Sequence, residues 1–453
     1  MLKRLIKIFA PRKSRPPTVG PHILKSGQHA IKPRDISSGA SKIVDMLEEH
    51  KFQAYVVGGC VRDILLGRHP KDFDVATNAT PEEVKALFRR ARIVGRRFQI
   101  VHVHMGRDLV EVTTFRANHG GGSGRGAVQS DQGMLLRDNV FGDINEDAQR
   151  RDFTVNALYY HPRDNTLYDY AGGLADIEAR RLRIIGDPET RFREDPVRML
   201  RAARFAGKLG FTVDPATAAP IRQLAPLLRD IPAARLFDEW LKLFLSGHAL
   251  ATFRVLREFG LFRELFPLVD PMLDEGDGLY LRFVEQALMN TDERIRDDKR
   301  VTPAFLLAVL LWPPVVKATG HFLAKGENPA MAMQKAGGQV VAHQVDRIAI
   351  PRRFSQPMRE IWDLQQRLPL RHGRRADHLL EVPRFRAGYD FVLLREQAGE
   401  DLGGLGRWWT RYQEADDAER QAMVKAVESQ GSGGQPQRRR RRPRRKPDGG
   451  APA

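Results

Sequence analysis

Apolar positions change their rhythm about a third of the way along the chain. From residue 36 to 173, short β-branched runs alternate with helical patterns. The stretch 54–59 reads as a strand running into a turn at Gly58-Gly59, and 93–95, 98–105 and 109–115 read as further strands. Thr80-Pro81-Glu82-Glu83 is a capping box with proline at the first helical position, and predicts a helix to about Ala91. Residues 120–126 are too glycine-rich to order alone and predict a mobile surface loop, with order resuming by Leu135. From Asp176 to Glu428 strand signals nearly vanish and helical periodicity dominates, until Ser432-Gly433-Gly434 opens a tail. The predicted class is α+β: a small α/β head, an all-helical remainder and basic ends.

Length supports this division, since 453 residues predict two to four domains. The one cysteine, Cys60, excludes a disulfide framework and a Cys-based zinc site, and fits a cytoplasmic location. No apolar run reaches membrane-spanning length, so no integral membrane segment is expected. The net charge of +18 is uneven: residues 1–34 hold +9, residues 430–453 hold +7, and the difference leaves +2 for the long middle. Tails this basic bind phosphate backbones through counterion release, and 438–446 is dense enough to be read as an RNA-contacting segment rather than a solubilising one. The first nine residues are basic and apolar, but lack the core and cleavage site of a signal peptide, and residues 1–35 read as a flexible leader.

Three constellations carry chemistry. In the first, Asp72 and Asp74 project from one face of a strand, because side chains alternate. Two adjacent carboxylates repel unless a cation lies between them, and Mg²⁺ suits hard oxygen ligands shared with phosphates. Gly58 and Gly59 let a backbone approach a triphosphate, and Arg62 and Asp63 follow in a helix whose N-terminus faces it. In the second, Arg150, Arg151, Asp152 and Asn156 lie in a segment that Phe153, Val155 and Leu158 make half-buried, so its charges need partners. A nucleotide would supply them. Asp152 is a candidate third carboxylate, with Glu111 its rival. In the third, Asp195 and Pro196 open a helix in which Arg198, Arg201 and Arg204 recur every third residue. Asp195 can accept from an exocyclic amino group while Arg198 donates to the adjacent ring nitrogen, a pattern that adenine and cytosine offer and guanine and uracil reverse. The pair does not separate A from C. Trp408-Trp409 is read as a helix-packing pair, and His102 with His104 does not make a zinc site.

In this order the three motifs resemble the class II nucleotidyltransferases, which include the CCA-adding tRNA nucleotidyltransferases and the bacterial poly(A) polymerases. The resemblance covers about 50–245, including Arg235-Leu236-Phe237-Asp238-Glu239. It implies a polymerase-β-like head at 36–175, a neck at 176–245, a helical body at 246–350, a leg at 351–428 and an Arg-rich tail at 429–453. It further implies that Asp72 and Asp74 hold two Mg²⁺ ions, with Mn²⁺ an alternative. Asp152 would be the third catalytic carboxylate. Gly58, Gly59, Arg62, Arg150, Arg151, Asn156, Asp195, Arg198, Arg201 and Arg204 would bind the nucleotide. The strand at 93–103 with Arg96-Arg97, the segment 133–142 and the Arg-rich tail point to the poly(A) branch. The activity implied is template-independent transfer of AMP from ATP to RNA 3′ ends in mRNA decay, with RNA-decay proteins as further partners. The alternatives are CCA addition from CTP and ATP, and an inactive RNA-binding relative.

Overall fold

A computed structural model describes residues 20–95, 99–117, 127–129, 135–138 and 140–431. The leader up to residue 19, the Arg96-Arg97-Phe98 step, the glycine-rich loop, Gly133, Met134 and Asn139 of the 133–142 segment and the tail from residue 432 lie outside the described residues.

The chain divides into two compact units, 1–267 and 268–453. The first is built on an eight-stranded sheet. Its strands are β1 (His22–Leu24), β2 (Ala54–Val57), β3 (Phe73–Thr77), β4 (Ala91–Val94), β5 (Ile100–Met105) and β6 (Asp108–Thr114), then β9 (Leu158–His161) and β10 (Thr166–Asp169). Between these in sequence, β7 (Ala127–Gln129) and β8 (Leu135–Asp138) pair separately as a two-stranded ribbon. The order across the sheet is β1-β10-β9-β2-β3-β6-β5-β4, antiparallel except where β3 runs parallel to β6. Helices α1 (Ser38–Glu49), α2 (Gly59–Leu65) and α3 (Pro81–Leu87) come from the first part of the chain. They are followed by α4 (Ile144–Arg150), α5 (Gly173–Glu178), α6 (Pro188–Glu194) and α7 (Val197–Leu209).

The two sheet faces differ as the alternation requires. Ala54, Val56, Phe73, Val75, Val110 and Val112 point into the larger core, with Ile43, Val44 and Leu47 of α1. Val57, Ala76 and Tyr159 point the other way, against Phe115 and Ala148 of α4. Asp74, between Phe73 and Val75, shares this second face. The period of two thus puts a carboxylate where the next residue on that face, Ala76, is fully buried.

Two expectations are corrected. The leader ends before residue 22, because β1 pairs with β10 and Ile31 is buried in the larger core. The helix begun by the Thr80 capping box stops at Leu87 rather than Ala91. Phe88 turns extended to bury its ring, and Ala91 pairs with Val103, so tertiary pairing overrides helical propensity. After the sheet, the first unit continues in helices, with only the two-residue strands Arg181–Leu182 and Thr212–Val213. Helix α7 packs on the helix Ala249–Glu258 so closely that a Cβ at Gly207 would lie 2.6 Å from the Thr252 amide nitrogen.

Among its described residues the second unit is helical, from Leu279–Arg296 to Asp417–Gly431. Trp409 is fully buried in its core, and its indole donates to the Leu368 carbonyl at 3.1 Å. Its ring meets Phe385 of the helix Phe385–Gln397 at 5.1 Å, so Trp409 packs helices, while Trp408 stacks on Tyr412 of its own helix at 4.6 Å. Among the described residues no single helix is long and apolar enough to cross a membrane. The apolar bent pair Pro303–Leu310 and Trp312–Ala324 buries Leu306, Leu307, Val309 and Trp312.

Candidate active site

The corner formed by β2, α2 and β3 is shaped by one backbone position. Gly58 has φ +86° and ψ −136°, a region essentially reserved for glycine, and caps α2. A Cβ there would lie 3.5 Å from Asp74 Oδ2 and 3.8 Å from Arg151 Nη1. The turn therefore brings backbone, carboxylate and guanidinium together.

Asp72 is exposed and precedes β3, and Asp74 is half-buried within it. The parallel register sets Glu111 of β6 beside Asp74, and the antiparallel register sets His102 beside Glu111, with His102 Nε2 3.4 Å from its carboxylate. Burial, then Glu111, and more weakly Asp72, push the Asp74 carboxyl up to about 6 against the pull of Arg151. Among the described residues no three carboxylate, His or Cys groups converge on a ready-made cation cage.

Arg151 is anchored from behind. Its Nε and Nη2 donate to Asp147 at 3.1 and 2.9 Å, and Nε also donates to the Tyr159 hydroxyl at 2.8 Å. The Tyr159 hydroxyl donates to the same Asp147 oxygen at 2.6 Å. Burial alone would raise Asp147, but Arg151 and Tyr159 hold its carboxyl below the usual range.

Arg62 and Asp152 sit differently from the roles expected of them. Arg62 is 2% exposed, behind the turn instead of open to it. Its Nη2 donates to Asp63 at 2.6 Å and its Nη1 to Asn156 Oδ1 at 2.5 Å. Asn156 in turn donates to Asp152 at 3.1 Å. Asp152 Oδ2 accepts from Arg201 at 2.6 Å, and Oδ1 from the Phe153 amide at 2.8 Å. Burial opposes ionisation of Asp152, but Arg201, Asn156 and Phe153 hold its carboxyl far below the usual range. The carboxylate nearest Asp74 in the sheet is thus the rival, Glu111, while Asp152 belongs to an internal network.

The segment from α6 into α7 contributes the remaining groups. Both oxygens of Asp195 accept from Arg235 Nη2, at 3.0 and 2.8 Å, and Oδ1 also receives the Val197 amide at 3.3 Å. Arg198 spends Nη1 on Glu194 at 2.8 Å and on the Arg191 carbonyl at 2.7 Å. Arg62, Arg201 and Arg204 lie 5.1, 5.2 and 4.8 Å from the centroid of one ring, Phe205. Arg201 is matched by Asp152 and Arg62 by Asp63, whereas the buried Nε of Arg204 has no hydrogen-bond partner among the described residues. Burial and Arg201 lower Arg204 to about 10.

Motif reading gave no role to Asp147, Tyr159, Arg191, Glu194, Arg235 or Phe205. Asp147 is four residues before Arg151, a spacing that on a helix flags an ion pair. Tyr159 and Arg235 meet their partners only through the fold.

A sheet that sets neighbouring carboxylates beside a glycine turn, followed by arginine-bearing helices, fits the nucleotidyltransferase class, and comparison with known proteins narrows it. Residues 54–183 match the family described as "Poly A polymerase head domain", 210–273 match "Probable RNA and SrmB- binding site of polymerase A", and 325–446 match "Polymerase A arginine-rich C-terminus". The chain is 46% identical to poly(A) polymerase I of Haemophilus influenzae, covering 94% of this chain and 95% of that one. It is 47% identical to poly(A) polymerase I of Escherichia coli O6:H1, covering 94% and 92%. A CC-adding tRNA nucleotidyltransferase of Halalkalibacterium halodurans matches at 38% over about half of each chain, 50% and 54%. Among solved structures, the Bacillus stearothermophilus CCA-adding enzyme in complex with CTP aligns with TM-score 0.52 at 26% identity, over 88% of each chain. The chain is an enzyme that adds nucleotides, and it belongs to the poly(A) polymerase family.

Proposed function

We propose that the protein transfers AMP from ATP to RNA 3′ ends without a template, releasing pyrophosphate, and that the tails so made promote mRNA decay in the cytoplasm. The observation that carries the poly(A) reading is the extent of similarity: poly(A) polymerase I relatives match nearly end to end, the CC-adding relative over half.

Asp72 and Asp74 are the proposed metal-binding carboxylates, and the repulsion that Asp74 meets from Glu111 and Asp72 is what a divalent cation would relieve. Bound there, two Mg²⁺ ions, or Mn²⁺, would lower the pKa of the RNA 3′-hydroxyl and steady the triphosphate, so no dedicated protein base is needed. The Gly58-Gly59 backbone gives close approach to phosphates, and Arg151 and Arg204 offer charge to them. Asp152 holds Arg201 in place through its ion pair, and Asn156 does the same for Arg62. Arg198 keeps Nε and Nη2 without a protein hydrogen bond among the described residues, free to donate to a ring nitrogen beside Asp195. A guanine or uracil at that edge would leave a buried hydrogen bond unmade, at a cost of about 1–3 kcal/mol. RNA-decay proteins are proposed as further partners.

The test is incubation with two substrates. Unrelated RNA and ATP should yield long A tracts. CTP-dependent addition to tRNA lacking its CCA end, stopping after the CCA, would overturn the reading in favour of CCA addition.

A further inference from the structure

The two halves of the proposed site lie on different elements, the carboxylates on the sheet and the base-reading pair at the start of α7. We propose that Arg191, on α6, is the strut between them: a positioning residue that fixes the base pocket relative to the carboxylates and thereby helps select adenine over cytosine. This rests on the site assignment above.

The geometry is a closed circuit. Arg191 Nη2 donates to two successive main-chain carbonyls, Arg150 at 2.5 Å and Arg151 at 2.7 Å. These carbonyls stand at the C-terminal end of α4, where no intrahelical partner is available. Nη1 of the same guanidinium donates to Glu194 at 2.6 Å. The Glu194 oxygen that receives it also accepts from Arg198 at 2.8 Å, and Arg198 returns to the Arg191 carbonyl at 2.7 Å. The side chain is 10% exposed. One planar fork thus ties the backbone of Arg151, whose guanidinium reaches the Gly58 turn and Asp74, to Arg198, which reads the base. A lysine has no such fork and cannot span both sides.

Selection follows from length. Adenine and cytosine present the same donor beside the same acceptor, but the two-ring purine carries that edge farther from its ribose. A pocket that reads the edge while the phosphates are held elsewhere distinguishes the two by its distance from the phosphate corner. Arg191 sets that distance, and a displacement of about 1 Å costs on the order of 10²-fold in rate.

The experiment measures kcat and KM for AMP and CMP addition to a short RNA with Arg191→Lys, Glu194→Gln and the double variant. Each single variant should lower kcat with ATP by about tenfold or more and narrow the ATP to CTP ratio of kcat/KM by a similar factor. The double variant should be no worse than the poorer single one, since both cut one circuit. An unchanged ratio, equal losses with both nucleotides, or multiplying losses would overturn the strut. Should Arg191→Lys fail to fold, Glu194→Gln carries the same test through its ratio. Asp74→Asn, assayed alongside, reports on the site assignment separately: if it still adds nucleotides, that assignment fails whatever Arg191 does.

Discussion

At Asp74, burial and neighbouring carboxylates push in one direction and Arg151 in the other, leaving the carboxyl at about 6 against an ordinary 3.8. Between these values the native state keeps a proton that the unfolded chain has lost, so this group's contribution to stability falls as pH rises from about 4 to 6. Asp152 has the opposite sign: its carboxyl is depressed, and its contribution is lost only in acid. In metal-free protein, Asp74→Asn should therefore raise Tm at pH 7 and remove part of the decline between pH 4 and 6, by calorimetry. The same variant should lose more than about 10³-fold of AMP incorporation, about 4 kcal/mol of transition-state stabilisation. The two-residue period of a strand put Asp74 on the face that it takes in β3, whereas Asp72 lies just before that strand. Glu111 was visible only as a rival, since its place beside Asp74 depends on a parallel pairing between strands that two others separate in sequence. The charges of Arg62 and Asp152 stood out in the sequence but their partners did not, because Asn156 and Arg201 are brought in by other elements.

Helix α7 shows the same division at the level of elements. Its three-residue arginine spacing and apolar remainder were readable, and so was a buried helix. Which carboxylate meets which arginine was not: Asp195 takes Arg235 from the helix Ala233–Phe244, and Arg201 takes Asp152 from the loop after α4. Gly207 was silent in the sequence, yet its missing side chain sets how near α7 approaches the next helix. A Cβ there would lie 2.6 Å from the Thr252 nitrogen and 2.9 Å from its Cα, and backbone cannot yield as a side chain can. Gly207→Ala should destabilise by about 1–3 kcal/mol, seen as a lower denaturation midpoint at unchanged slope.

Over the whole molecule, the formal charge and the chemistry are kept apart: the ends hold nearly all of the +18, and the long middle is close to neutral. Deleting 430–453 should weaken RNA binding and flatten its salt dependence, in proportion to the number of RNA phosphates that the tail neutralises, while kcat at saturating RNA stays near the full-length value. Equal salt slopes for the two proteins would assign the tail to another partner. Inside the first unit, by contrast, charge is arranged around a group that has none. Phe205 gathers Arg62, Arg201 and Arg204 about one ring, each within the range where a π face is worth about 0.5–2 kcal/mol to a cation. An apolar substitution at that position would leave every titratable group in the sequence unchanged and still loosen three cations at once. A survey of the site by its ionisable residues alone would miss the residue on which their spacing depends.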